Sequence, residues 1–90
     1  MNATTAELLN LKADLDVNVH WYGGVIADGD VETITMVPAE GVALEDAAAT
    51  LATWVGRRRG VLTVSKVARL RGGQWDRQRR THYRVTMKRG

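Results

Sequence analysis

The apolar residues of this 90-residue chain switch twice from a helical repeat to an extended one. That double switch limits the fold more than any other feature. A 3.6-residue repeat calls for a helix with one buried stripe, and a two-residue repeat calls for a strand with one buried face. Leu8, Leu11 and Leu15 recur at helical spacing, and Thr4 with Glu7 has capping-box spacing, so a short helix is predicted from about Thr4 to Asp14. Val17, Val19 and Trp21 then alternate with Asn18, His20 and Tyr22, predicting a strand with Trp21 on its inner face. Gly23-Gly24 marks a bulge or bend, and Asp28-Gly29 is a two-residue hairpin signal. The return strand runs from Val31 to Val37, and Pro38 ends it.

The second cycle repeats the order. Leu44, Ala47, Ala48, Leu51, Trp54 and Val55 form one helical stripe, predicting a long helix over about Val42 to Arg58 with Gly60 as its C-terminal cap. Glu45 and Asp46 near its start and Arg57, Arg58 and Arg59 near its end each match the local sign of the helix dipole. Val61 to Leu70 reads as a third strand with Leu62, Val64, Ala68 and Leu70 on one face. Gly72-Gly73 opens a loop through Trp75, and a fourth strand sets Thr81, Tyr83, Val85 and Met87 against Arg80, His82, Arg84, Thr86 and Lys88. The predicted fold is α+β: a four-stranded antiparallel sheet of two hairpins, one long helix across one face and a short N-terminal helix. Leu62, Val64, Val85, Met87 and Trp54 are expected to share the core. Ninety residues suffice for a single domain, 1–90, with one small core.

Charge is sorted by position. Residues 1–50 carry nine carboxylates and one lysine, whereas residues 51–90 carry twelve cations and one carboxylate, Asp76. The net charge of +3 conceals this asymmetry. Hydrophobic content of 44% and charged content of 26% suit a folded domain, not a disordered one. With no Cys, disulfides and thiolate metal sites are excluded. No apolar run reaches the roughly 20 residues of a membrane span, and Met1-Asn-Ala-Thr-Thr lacks a basic segment followed by an apolar one. A cytoplasmic protein without a membrane partner is expected.

The last hairpin is the candidate binding site. Inward Tyr83, Val85 and Met87 place Arg80, His82, Arg84 and Lys88 on the opposite face, and the same alternation puts Arg69 and Arg71 beside them. Arg77 and Arg79 extend the basic loop, and Trp75 near its tip is a candidate anchor. Arginine forks grip phosphate in two places at once, and Trp75, Tyr22 or His82 offers a stacking surface to unpaired bases. The acidic group Asp28, Asp30, Glu32, Glu40, Glu45 and Asp46 is explained more simply by turn chemistry and helix-start charge than as one docking surface.

Catalysis finds no foothold. His20 and His82 have no metal spacing, Ser65 lies mid-strand without an elbow motif, and neither glycine pair is a phosphate loop. No enzymatic activity, cofactor, metal or small-molecule substrate is expected. The layout of hairpin, Ala-rich helix (Leu44 to Trp54) and hairpin over residues 16–88 resembles small phage-encoded inhibitors of the anti-CRISPR type. The resemblance implies a compact wedge seated on a nucleic-acid-handling complex, so the expected partner is a protein or nucleoprotein complex. The alternative is direct binding of DNA or RNA through the same basic hairpin.

Overall fold

The computed structural model describes residues 5–70 and 80–90. The element order is α1 (Thr5–Asn18), β1 (Val19–Asp28), β2 (Val31–Pro38), α2 (Leu44–Arg59), β3 (Leu62–Leu70) and β4 (His82–Arg89). The strands form one antiparallel sheet in the order β1-β2-β4-β3, so each hairpin contributes one central and one edge strand. The α+β architecture expected from the two switches of period is the one observed.

The core lies between α2 and one face of the sheet. Ala47, Ala48, Leu51, Ala52 and Val55 of α2 pack with Ile34 and Met36 of β2, Leu62 of β3, and Val85 and Met87 of β4. The small residues of α2 let its backbone approach the sheet, and each fully buried large side chain contributes about 1.5–3 kcal/mol. Trp54 and Val64 are half-buried against this cluster. Gly60 caps α2 at φ +84°, a conformation that Gly adopts without steric cost.

The first helix runs four residues past its expected end. Leu15 is buried with Val19 in the same core, and the Asn18 side-chain amide donates to Thr50 Oγ1 at 2.9 Å. The Asn18 carbonyl also accepts a bond from the Ala39 amide at 3.0 Å. These tertiary ties hold Val17 and Asn18 helical despite their β-like alternation, and they leave the Val17 side chain exposed. The Thr4 half of the capping box lies outside the described residues.

Three register shifts set the faces of the edge strands. The first lies between Val19 and Trp21, where His20 is the extra residue. It inverts the phase, so Val19 and Tyr22 face the helices and Trp21, expected in the core, does not. The second lies between Gly23 and Ile26, as the glycine pair predicted, with Gly24 at φ +62°. The third lies between Val64 and Lys66, and there the Ser65 hydroxyl donates to the Thr86 carbonyl at 3.2 Å. Beyond it Val67 stands opposite Val85 on the helix side, while Ala68 and Leu70, expected inward, pair with Arg84 and His82. The β1–β2 turn sits one residue later than expected: Asp28 pairs with Val31, leaving Gly29 and Asp30 as the loop, with Gly29 at φ +60°.

Candidate functional site: the uncovered face of the sheet

Register assigns each residue to a face, because directly paired residues point the same way. No described helix lies on the face opposite α2. At one end of that face Trp21 stands opposite Val37, and His82 opposite Leu70. The next level holds Gly23, Thr35, Arg84 and Ala68, and then come Ile26, Thr33, Thr86 and Lys66. The far end holds Asp28, Val31, Lys88 and Thr63.

The cations gather around Thr86. Lys66 is its direct cross-strand partner, and Arg84 and Lys88 flank it along β4 on the same face. Lys66 lies diagonally from Arg84 and from Lys88, about 7–8 Å away, within reach of such long side chains. Arg84, Lys66 and Lys88 are all exposed, and among the described residues none of them forms an ion pair. Asp28 shares the level of Lys88 but stands two strands from it, roughly 10 Å away at ordinary strand spacing and so at the limit of screening. Thr33, Thr35 and Thr86 add hydroxyl donors between the charges.

An aromatic platform closes the other end. The Trp21 and His82 rings meet edge to face, with centroids 5.9 Å apart and planes at 64°. An Nδ1–H of His82 donates to the Arg80 carbonyl at 3.0 Å, which fixes that tautomer. His82 is only 4% exposed, so the open position expected for it is corrected: the imidazole is buried, with the Trp21 indole against it edge to face. The Trp21 ring also lies across Gly23, where a Cβ would come within 2.8 Å of Cζ2. Gly23 therefore provides the bed for the indole, and Trp21 remains 43% exposed.

Other expected site residues separate. Arg84 and Lys88 occupy the uncovered face as predicted. Arg69 does not: the bulge at Ser65 places it opposite Tyr83, on the side of α2. Arg80 is half-buried just before β4, outside the paired register. Arg71, Trp75, Arg77 and Arg79 lie outside the described residues. Arg57 belongs to a different assembly, in which its guanidinium stacks 3.5 Å over the Trp54 ring and donates to the Trp54 carbonyl at 2.6 Å. Trp54 Nε1 in turn donates to the Tyr22 hydroxyl at 2.9 Å. Burial lowers the Arg57 pKa, Arg58 adds to that effect, and Tyr22 opposes it. This arrangement is local to the end of α2, in keeping with the dipole reading of the arginine run.

The carboxylates form no single surface. Asp28 and Asp30 sit at the Val31 end of β2, and Glu40 follows its Pro38 end. Glu32 is 2% exposed and lies in phase with Ile34 and Met36 on the covered face. Two residues of the uncovered face were missed from sequence. Lys66 carried a signal: unbroken alternation from Leu62 and Val64 would bury it, so a lysine at that phase marks a bulge before it. Trp21 carried none, because the phase inversion at His20 leaves no mark in residue type. No protein-family model, curated protein or solved structure matches this chain.

Proposed function

We propose that this chain is a non-enzymatic binding protein that takes a nucleic acid on the uncovered face of its sheet. The observation that carries the reading is the triangle of Lys66, Arg84 and Lys88 around Thr86, with no carboxylate against it among the described residues. Phosphates seated over such a triangle would neutralise its three cations. Bound phosphate oxygens accept from the cations and the threonine hydroxyls together.

A salt titration with fluorescently labelled oligonucleotides tests it. Three cations on phosphate give a slope of about −2 to −3 in log affinity against log salt. Arg84→Glu with Lys88→Glu is expected to abolish binding at low salt while leaving the circular dichroism spectrum unchanged. Absence of binding by the wild type at low salt overturns the reading.

A second reading draws on Asp28 and Asp30 at one end of the sheet and Glu40, Glu45 and Asp46 at the other. With both signs displayed, the chain seats on a nucleic-acid-handling complex and blocks it, as the anti-CRISPR-type resemblance implies. It predicts no affinity for isolated strands and salt-sensitive binding to a purified complex of that kind, which is then unable to take its nucleic acid.

A further inference from the structure

We infer that the nucleic acid is single-stranded, with an unpaired base stacked on the exposed indole of Trp21 and its backbone running over Arg84 toward Lys66 and Lys88. The inference rests on the nucleic-acid reading above and adds the class of ligand.

Geometry separates single strand from duplex. The outer strands of a four-stranded sheet stand about 14 Å apart before side chains are added, because neighbours are spaced by about 4.8 Å. A major groove about 12 Å wide admits a helix or a two-stranded ribbon, but not this face. A duplex therefore meets the described sheet through its phosphates, and its paired bases, stacked inside the double helix, offer no free face to the Trp21 ring. An unpaired base can, since every base has a π-face and an indole is the largest side-chain partner for it.

The platform is built for such a contact. Gly23 removes the side chain that would push the ring away, and His82 abuts it from β4. The ring is thereby oriented before a ligand arrives, so little side-chain entropy remains to be lost on binding. The level next to Trp21 along the strands contains Arg84, and the following levels contain Lys66 and then Lys88. Successive levels are about 6.7 Å apart and neighbouring strands about 4.8 Å, so Arg84, one level along and two strands across from Trp21, lies about 12 Å from it along the sheet surface, a gap for the strand's backbone to span. A folded acidic protein would satisfy the cations but leave the oriented ring unexplained.

The test uses the whole chain and three probes of equal length: a thymidine 12-mer, the same strand with abasic sugars, and a duplex. The 12-mer is expected to bind at least about tenfold more tightly than the abasic strand, as loss of one good stack implies. It is expected to quench tryptophan fluorescence, which the abasic strand does not. Trp21→Ala should bring the 12-mer down to the abasic affinity, and Trp21→Phe should recover part of the difference. The abasic comparison needs no variant, so it stands even if Trp21→Ala unfolds. Equal affinity for all three probes overturns this inference and leaves the polyanion reading intact. Binding of none overturns both readings. Competition by polyglutamate as effective as the 12-mer overturns the inference in favour of an acidic protein.

Discussion

The two faces of this sheet use the same four strands for opposite ends. The covered face presents Ile34, Met36, Val85 and Met87, all inaccessible to solvent, to a helix stripe rich in alanine. The face opposite α2 presents threonines, an indole and three cations that form no ion pair among the described residues. One side gains stability by removing apolar surface from water. The other gathers like charges at exposed positions of neighbouring strands.

Mutations that separate the faces should show the largest effects on the covered side. Ile34→Ala or Met87→Ala is expected to cost about 2–5 kcal/mol in urea denaturation, whereas Thr33→Ala, one position from Ile34, should stay within about 0.5 kcal/mol. An equal cost at Thr33 would mean that the supposedly open face is packed. Gly24→Ala forces a side chain into φ +62° and should lose about 1–2 kcal/mol. A neutral result there would show that the bulge can relax, and with it the phase that puts Ile26 on the same face as Gly23. Tyr22→Phe removes the acceptor for Trp54 Nε1 and should lower stability by about 1 kcal/mol, measured by thermal melting. The smallest effect carries the opposite sign. Lys66→Glu replaces repulsion by attraction toward Arg84 and Lys88, and should stabilise by about 0.2–1 kcal/mol while weakening oligonucleotide binding. If both stability and binding fall, the cations serve the fold and not a ligand.

The legibility of the molecule follows the same division. The α2 stripe, the inward set Tyr83, Val85 and Met87, and the outward Arg84 and Lys88 were readable because they lie in segments whose period is unbroken. The errors fall on the two edge strands, where a single extra residue reverses every side chain beyond it. His20 sent Trp21 outward, and Ser65 sent Arg69 to the helix side and Lys66 to the cations. The helical continuation through Asn18 was hidden for another reason: its bonds to Thr50 and Ala39 come from residues more than 20 positions away.

Periodicity by itself determined the number, type and order of the elements, because amphipathic period depends on neighbours within one turn or one pleat. Charge sorting by itself placed cations in the second hairpin. Tertiary structure alone decided that β2 and β4 meet at the centre, which edge residues share a face, and that Lys66 joins Arg84 while Arg69 leaves it. Those outcomes depend on hydrogen-bond register between distant segments, where a one-residue bulge costs little locally but inverts the chemistry of a whole surface.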